Sequence, residues 1–371
     1  MTKILILAND STYVFNLRRE VIEAMLANGW QVSIVCEEKQ HADALRKMGC
    51  SLLPMKVGRH GKNPFSDLQL LQSYKRTLKE EKPDVVLTYN IKPNVYGGMA
   101  CAKIKIPYLV NVCGLGTPVE YPGPLQSLTI ALYRLGAKHA SCVFFQNTEN
   151  EKFFNDRKIA PGHHRLLPGS GVNTSRYQAL NYPNGDTIDF LFISRIMKEK
   201  GIDQYLEAAQ VIKGRYPHTV FHIIGGCDDE AYLQKLKMME EQGIIRYHGQ
   251  QKSILPFQQI SSCTIHPTYY PEGMSNVLLE SAACGRPIIT TDRSGCREII
   301  DDGVNGYICK QQDSADLIKQ IEKFLALTWE QRRNMGLAGR KKVEKEFDRQ
   351  IVVQAYLEEI KSVIGEKVYG L

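Results

Sequence analysis

The chain has 371 residues, a length for which two domains are the natural expectation. It is 43% hydrophobic and 23% charged, as water-soluble globular proteins are, and its apolar runs are strand-length rather than the roughly 20 residues that cross a bilayer. The net charge of +7 favours anionic substrates or an anionic membrane surface, but the basic residues are too dispersed to indicate nucleic acid.

The ten cysteines are scattered along the chain, and several lie in apolar, strand-like runs. They form no CxxC pair and no spacing typical of a metal site. The first apolar run is followed by polar and basic residues rather than by a cleavage site of small residues. These features predict buried, reduced thiols in a cytoplasmic protein.

Short apolar runs alternate with amphipathic stretches in the first half. Strands are predicted at 3–8, 31–36, 51–56, 84–89, 108–113, 141–146 and 164–169. Helices are predicted at 15–28, 40–48, 66–80, 94–104 and 124–138. This alternation predicts right-handed crossovers and a parallel sheet.

The polar stretch 170–187 is expected to link two domains, after which the alternation begins again. Strands are predicted at 190–194, 220–225, 244–249, 263–267, 287–291 and 305–309. Helices are predicted at 199–213, 229–241, 275–284 and 313–326, and from Trp329 to about 364. The predicted fold class is α/β, with two tandem Rossmann-like, doubly wound parallel-sheet domains. Ligands bind beyond the carboxyl ends of such strands, which predicts a site in the cleft between the domains.

Two glutamates, Glu272 and Glu280, flank the predicted start of a helix within the stretch 266–287. The start of a helix offers free N–H groups and a dipole that favours an anion, so it suits a phosphate. The residues between the glutamates are Gly273, Met274, Ser275, Asn276 and then three apolar positions. A carboxylate on each side suits a nucleotide diphosphate sugar, whose hydroxyls lie at both ends. The alternative is a pair of solvated glutamates.

Neighbouring loops add cations and glycines. Arg195 and Lys200 follow the first strand of the second half, where two cations would neutralise a departing diphosphate; ordinary solvated cations are the alternative. Gly225 and Gly226 end the next strand, where they allow a ligand to approach the backbone closely or simply form a tight turn. The three loops are expected to converge at one edge of the sheet.

With these motifs in this order, the sequence resembles the retaining glycosyltransferases of family four, which have the two-Rossmann-domain GT-B architecture. The family signature, a glutamate followed after seven residues by another, is matched by Glu272 and Glu280. The family's basic pair is matched by Arg195 and Lys200. The resemblance implies that Glu272 contacts the donor sugar, that Glu280 binds the ribose hydroxyls, and that the amides of 273–276 line the sugar and phosphate. Arg195 and Lys200 would hold the diphosphate and complete the predicted catalytic set with Glu272.

The resemblance also implies domain boundaries, because the C-terminal helix of such enzymes crosses back to the first domain. An acceptor-binding domain is therefore expected to comprise residues 1–169 plus 350–371. A nucleotide-sugar-binding domain would comprise residues 170–349.

One stretch departs from the family. A histidine commonly ends a strand of the first domain near the donor sugar, whereas 110–120 contains none. Backbone groups around Gly114 and Gly116, or Asn111, would have to serve instead. This GLGT stretch and 88–98 resemble a subgroup acting on polyprenyl-diphosphate sugars in bacterial surface-glycan assembly, which includes N-acetylgalactosaminyltransferases.

Four polar residues of the first domain are candidates for acceptor contacts. Asn9 and Asp10 follow the first strand, and Asn90 and Lys92 follow the fourth. Asp10 is at least as well suited to cap a helix.

A basic loop, with Arg59, His60 and Lys62, suits an anionic membrane surface or a lipid diphosphate, with a solvated charged face as the alternative. The helix at 124–138 is apolar enough to touch lipid, although burial against the sheet is favoured. The sequence thus predicts a peripheral protein of the inner face of the cytoplasmic membrane.

The predicted activity is retaining transfer of a hexose or N-acetylhexosamine from a UDP-sugar to a polyprenyl-diphosphate-linked sugar, during assembly of a bacterial capsule, O-antigen, exopolysaccharide or glycoprotein glycan. N-acetylgalactosamine is preferred over galactose and N-acetylglucosamine, and UDP over GDP only by resemblance. No metal is expected: an aspartate-metal-aspartate motif is not apparent, and His163 and His164 are distant in sequence from carboxylate clusters.

Two alternatives remain. A catalytically silent nucleotide-sugar-binding subunit would bind without turnover, which the intact set of charged residues weighs against. A nucleotide-sugar epimerase of the same architecture would need an acid/base pair that the sequence does not clearly offer. A dehydrogenase is disfavoured because no GxGxxG follows the first strand.

Overall fold

The computed structural model describes residues 1–57, 64–116 and 119–369. The chain divides into two compact units. The first comprises Met1–Ser170 and the chain from Arg349 onward, and the second comprises Gly171–Asp348. Within the described ranges, no helix combines the length and apolar character of a bilayer span.

The first unit contains a seven-stranded parallel sheet in the order β3-β2-β1-β4-β5-β6-β7. The strands are β1 Lys3–Asp10, β2 Gln31–Glu37, β3 Ser51–Pro54, β4 Val85–Tyr89, β5 Tyr108–Val112, β6 Cys142–Phe145 and β7 His164–Leu166. The helices are α1 Ser11–Ala27, α2 Ala42–Lys47, α3 Pro64–Glu81, α4 Gly98–Ile104, α5 Pro124–Ala137, α6 Thr148–Asp156 and, from the end of the chain, α13 Arg349–Tyr369.

Both faces of this sheet are covered, which is why its strands read as continuous apolar runs. Along β1, Ile4 and Ile6 face one core that includes Tyr356 of α13, and Leu5 and Leu7 face the other core. The alternation follows from the two-residue period of a strand. Helix α13 packs against α1, so the last helix of the chain covers the first sheet.

The second unit contains a six-stranded parallel sheet in the order β10-β9-β8-β11-β12-β13. The strands are β8 Ile188–Ile193, β9 Thr219–Ile224, β10 Arg246–Tyr247, β11 Cys263–His266, β12 Ile288–Thr291 and β13 Gly306–Cys309. The helices are α7 Ile202–Arg215, α8 Glu230–Glu241, α9 Leu255–Ile260, α10 Asn276–Ala283, α11 Ser314–Leu325 and α12 Trp329–Glu346.

The predicted fold class of two Rossmann-like parallel sheets is confirmed. In each sheet the strand order reverses direction between two central strands, β1 and β4 in the first and β8 and β11 in the second. Ligands of doubly wound sheets bind at such switch points, beyond the carboxyl ends of the strands. The loops after these four strands are therefore where a site is expected.

The structure refines two of the predicted helical regions. The stretch 94–104 is helical, but a π-helical turn, Pro93–Gly97, precedes α4. The helical region after Trp329 is two helices, which separate at Phe347 and Asp348.

The predicted linker 170–187 is a packed part of the second unit. Val172 is buried and pairs with Asp348, and Arg340 donates to the carbonyl of Tyr177. Its polar composition is explained by backbone groups that bond to side chains of α12 instead of to a sheet.

Candidate active site

The loops after β8 and β9 are held together by their backbones. The amide of Ile196 donates to the carbonyl of Gly226 at 2.9 Å. Gly225 has a φ of +153°, and a Cβ there would lie 1.7 Å from the carbonyl oxygen of Ser194. Glycine at 225 is therefore required by the neighbouring loop that carries Arg195, whereas a Cβ on Gly226 would meet nothing closer than 3.5 Å.

The loop after β8 is also fixed to the loop after β11. A 3-10 turn, Lys198–Lys200, ends at Gly201, whose φ is +77° and whose added Cβ would lie 2.1 Å from the carbonyl oxygen of Pro267. The amide of Tyr269 donates to the carbonyl of Glu199 at 2.9 Å. The three loops that the sequence expects at one edge are thus joined through the backbone.

Lys200 and Glu272 form an ion pair within this junction. Their side chains are only 12% and 18% exposed, and the Lys200 ammonium lies 4.7 Å from the centre of the Tyr270 ring. The cation is therefore held by a carboxylate and an aromatic face together. Arg195 is exposed and forms no ion pair with any described residue, so its guanidinium stays available to an anion.

His266, at the end of β11, is near enough to Lys200 to be affected by its charge, and it was not singled out from the sequence. It is 1% exposed, and neither ring nitrogen has a hydrogen-bond partner among the described residues. Burial, and next the Lys200 cation, lowers the pKa of His266 to about 3. The imidazole is consequently neutral at physiological pH and adds no second positive charge near Lys200.

Helix α10 begins beside this cluster. Ser275 precedes the helix without a side-chain cap, and its own amide donates to the carbonyl of Gly295 at 2.8 Å. The amides that begin the helix belong to Asn276, Val277 and Leu278, so these are the groups suited to an anion. Glu272 lies four residues before the helix, in the loop.

The side chain of Met274 is 6% exposed and belongs to a core with Leu278 and Leu279. Of this residue, only the backbone is therefore suited to line a ligand. Gly273, also buried, contributes only backbone at this position.

Glu280 lies on α10 and is partly exposed. Burial, and next the Glu280 carboxylate, raises the pKa of Tyr177 above its usual range. Tyr177 therefore lies against Glu280 as a neutral phenol. It belongs to the segment 170–187, which the sequence analysis assigned to a linker. Sequence reasoning missed this residue because nothing local to it indicates a site.

In the first unit, Asn9 and Asn90 meet at the β1/β4 switch point. The amide of Asn9 donates to Oδ1 of Asn90 at 3.3 Å, and Asn90 has a φ of +75°. Such backbone conformations are uncommon outside glycine, although asparagine tolerates them, and they are frequent at functional sites. Asp10 is 1% exposed and caps α1 by accepting from the amide of Tyr13 at 2.8 Å, which is the helix-capping alternative.

Of the remaining candidate residues of the first unit, two have side chains that are already held by contacts within the unit. Lys92 pairs with Asp67 at 2.9 Å. Asn111, offered in place of the absent family histidine, is 2% exposed and donates to the carbonyl of Thr88, so its side chain belongs to the core. Gly114 and Gly116 follow β5 with φ of +139° and +69°, and both are partly exposed.

A buried arginine beside this edge was not anticipated. Arg18 is 1% exposed, and its guanidinium carbon lies 4.9 Å from the centre of the Tyr89 ring. It donates to the Cys113 thiol at 3.6 Å and forms no ion pair with a described carboxylate. Arg18 is a charged residue on the otherwise apolar face of α1, and this was the only indication in the sequence that its position is unusual.

His163 is distant from carboxylate clusters in sequence, but the fold places it 3.1 Å from Glu359 of α13, across 196 positions. Glu359 also accepts from Arg165 at 3.0 Å, so its charge is already balanced by a cation. The basic loop with Arg59, His60 and Lys62 lies outside the described residues.

Comparison with known families accounts for most of the chain. Residues 177–342 match the family described as Glycosyl transferases group 1, and residues 3–147 match the family described as Glycosyl transferase 4-like. An N,N'-diacetylbacillosaminyl-diphospho-undecaprenol alpha-1,3-N-acetylgalactosaminyltransferase of Campylobacter jejuni is 24% identical over 95% of this chain and 96% of its own. The capsular polysaccharide biosynthesis glycosyltransferase CapM of Staphylococcus aureus is 26% identical over 54% of this chain and 49% of its own.

Solved structures share the fold at low identity. A sucrose-phosphate synthase of Thermosynechococcus elongatus superposes with a TM-score of 0.79 at 18% identity, covering 98% of this chain and all of that one. The Anabaena protein HepE, in complex with UDP and glucose, gives 0.79 at 16% identity over 98% of this chain and all of its own. The protein therefore belongs to the glycosyltransferases of the two-Rossmann-domain GT-B architecture, within the group 1 and 4-like families.

Proposed function

We propose that the protein transfers a hexose or N-acetylhexosamine from a UDP-sugar to a polyprenyl-diphosphate-linked sugar, with retention of the anomeric configuration. N-acetylgalactosamine is the first candidate, then galactose or N-acetylglucosamine. The product would enter a bacterial capsule, O-antigen, exopolysaccharide or glycoprotein glycan at the inner face of the cytoplasmic membrane. The activity of the Campylobacter jejuni relative, similar over nearly its whole length, supports this acceptor class.

One observation carries the proposal: Lys200 and Glu272 meet at the β8/β11 switch point, immediately before the start of α10. A cation, a carboxylate and the first amides of a helix are there within the reach of a single ligand. A sugar diphosphate needs these three groups, because its hydroxyls donate to carboxylates and its phosphates accept from cations and amides.

Departure of the nucleoside diphosphate creates negative charge, which Arg195 and Lys200 would stabilise. Arg195 is exposed and unpaired within the described ranges, so it is free to take a phosphate in a bidentate manner. The Lys200 ammonium, which pairs with Glu272, would then also donate hydrogen bonds to the phosphate. With two such cations the transfer would proceed without a divalent metal ion.

Glu272 would then accept hydrogen bonds from the donor sugar's hydroxyls. Cleavage of the glycosidic bond passes through an oxocarbenium-like state, which a carboxylate at this position would favour. No protein nucleophile is assigned. Retention would follow from attack on the same face, with the departing phosphate taking the acceptor's proton.

Glu280 would accept from the ribose hydroxyls, and Tyr177 beside it would restrict the position of its carboxylate. In the first unit, Asn9 and Asn90 would meet the acceptor, and the backbone of Gly114 and Gly116 would take the place of the absent family histidine. The positions of Asn9 and Asn90 at the switch point of the first sheet support this assignment.

A nucleotide-release assay tests the proposal. The enzyme is given a panel of UDP- and GDP-sugars with and without a synthetic polyprenyl-diphosphate monosaccharide, and the product's anomeric configuration is determined by NMR. Acceptor-dependent release of UDP from one sugar, undiminished by EDTA, is expected. Binding without release with any acceptor would favour the silent subunit, and a changed sugar without transfer would favour the epimerase.

A further inference from the structure

The outward face of α5 carries a row of four leucines, of which three are left largely exposed by their own unit and the fourth, Leu132, packs in part against its core. Leu125, Leu128 and Leu135 are 42%, 57% and 56% exposed, and Leu132 between them is partly exposed. Spacings of three, four and three residues put the four side chains on one face of an α-helix. The row is a continuous apolar stripe, unlike single exposed leucines, which need no explanation.

The adjoining face of α5 is already anchored to the first unit. Tyr133 is 1% exposed and packs edge-on against Phe154, with ring centres 5.3 Å apart. A Cβ on Gly136 would lie 2.6 Å from the Cα of Val95, so this face is in backbone contact with its neighbour. The three exposed leucines, Leu125, Leu128 and Leu135, are therefore not needed to hold the helix in place.

The charged residues of α5 and of its C-terminal cap are all basic. Helix α5 contains no acidic residue, and Arg134 and Lys138 are exposed at its C-terminal end. Arg134 donates to the carbonyl of Arg157 at 2.6 Å, and neither cation forms an ion pair with a described carboxylate. Tyr121, just before the helix, is 77% exposed and adds an amphipathic ring of the kind enriched at membrane interfaces.

We infer that the outward face of α5, formed by Leu125, Leu128, Leu132 and Leu135 with Arg134 and Lys138, binds the surface of an anionic lipid bilayer. An apolar stripe bordered by cations and free of acids is the pattern of a helix that lies in the plane of the interface. Anionic headgroups balance the two cations. The inference rests on the proposed function only in that a membrane-linked acceptor gives the contact a purpose.

Flotation of the full chain with vesicles tests the inference. The protein is expected to float with vesicles of phosphatidylcholine and phosphatidylglycerol and more weakly with phosphatidylcholine alone. Replacing all three exposed leucines (Leu125→Ser, Leu128→Ser, Leu135→Ser) should lower the partition coefficient at least about tenfold. Unchanged vesicle binding by this variant overturns the inference, as does failure of the wild-type chain to bind.

A matched triple variant in the second unit controls for the loss of surface hydrophobicity. Met238, Ile260 and Val304 are 51%, 47% and 58% exposed, so Met238→Ser, Ile260→Ser and Val304→Ser remove comparable apolar surface elsewhere. This variant is expected to bind vesicles like the wild type. An equal loss in both triple variants would overturn the assignment to α5.

The charges are tested separately. Arg134→Gln with Lys138→Gln should weaken binding to anionic vesicles by about fivefold for each charge and leave binding to phosphatidylcholine unchanged. A second copy of the chain is the other occupant of such a face. If the leucine variant changes an oligomer to a monomer while vesicle binding stays intact, the face is a dimer interface and the inference is wrong.

Failure of this inference is distinguishable from failure of the proposed function. A leucine variant that no longer floats should still transfer sugar to a short-chain acceptor in detergent. Sugar transfer without any vesicle binding overturns only the inference that α5 binds a membrane. Vesicle binding without sugar transfer overturns only the proposed activity. Thermal unfolding of the variant, expected to match that of the wild type, excludes misfolding as the cause.

Discussion

Nη1 of Arg349 lies 2.7 Å from Oε2 of Glu20, and both side chains are more than nine-tenths buried. The pair joins α13 to α1 across 329 positions of sequence. Glu20 also lies 3.2 Å from Arg19, so its charge is shared between two guanidinium groups. A buried pair of this kind is costly to break on one side only.

Arg349→Met should lower the free energy of unfolding of the first unit by about 3 kcal/mol, because it removes a guanidinium partner from the buried Glu20 carboxylate. The double variant Glu20→Met with Arg349→Met should recover most of the loss. Trp30 lies in the first unit and Trp329 in the second, so Trp329→Phe makes tryptophan fluorescence in urea specific for the first unit. Equal losses in the single and double variants would contradict the ion-pair argument.

Glu272→Gln should reduce kcat at least about a hundredfold while changing the affinity for the nucleotide sugar only a few-fold. The carboxylate is proposed to act mainly in the transition state, and glutamine keeps its shape. Single-turnover kinetics together with calorimetric titration of the donor separate the two quantities. If turnover and affinity fall by the same factor, Glu272 is only a binding residue.

Arg195→Gln should weaken binding of UDP by about tenfold, since one charge-assisted phosphate contact is lost. The free energy of unfolding of the Arg195→Gln variant should differ from that of the wild type by less than about 0.5 kcal/mol, because the side chain is exposed and unpaired within the described ranges. Lys198→Gln is the matched control, as an exposed cation of the same loop. The assignment would be lost if both variants bound UDP like the wild type.

The second unit should lose stability as the pH falls below about 6.5, the pKa of an unfolded histidine. The folded pKa of His266 is about 3, so the unfolded state takes up a proton between these values and the folded state does not. Stability conferred by the neutral imidazole is thus present at neutral pH and falls by about 1.4 kcal/mol per pH unit across the window.

His266→Leu should remove this one-proton slope, as measured by urea titrations of Trp329 fluorescence in a Trp30→Phe background. Burial, and next His222, also lowers the pKa of His248, so a shallower acid dependence should remain in the variant. An unchanged slope would show that His266 is protonated in the folded state.

Gly225→Ala should destabilise the second unit by several kcal/mol and abolish turnover, because its Cβ would collide with the carbonyl of Ser194. Gly226→Ala has room for its methyl group and should fold normally. Thermal unfolding and donor titration of the two variants are compared. Normal folding of Gly225→Ala would contradict the steric argument, whereas lost donor affinity in a stable Gly226→Ala would support close approach of a ligand there.

The sequence predicted most strands to within two residues, because strands buried on both faces are unbroken apolar runs between polar turns. It also predicted which loops meet, since parallel topology brings the carboxyl ends of strands to one edge. Prediction failed where polar composition was taken for exposure, as at 170–187, whose Val172 and Tyr182 are buried.

The contacts within the candidate site could not be predicted in the same way. Lys200 and Glu272 were both chosen, but their pairing spans 72 positions and depends on Gly201 and Pro267 packing backbone to backbone. Tyr177 and Arg18 were missed because their neighbours come from distant segments. Long-range side-chain packing carries no local period or spacing that a single sequence displays.

The placement of α13 has a consequence for synthesis on the ribosome. The first sheet is translated before the second unit, yet one of its faces awaits Val352, Tyr356 and Ile360, which are translated after that unit. All of the second unit, up to Asp348, is translated before them. The first unit therefore begins to be synthesised before the second unit and is completed after it, and a nascent chain that stops short of α13 exposes an apolar sheet face to chaperones.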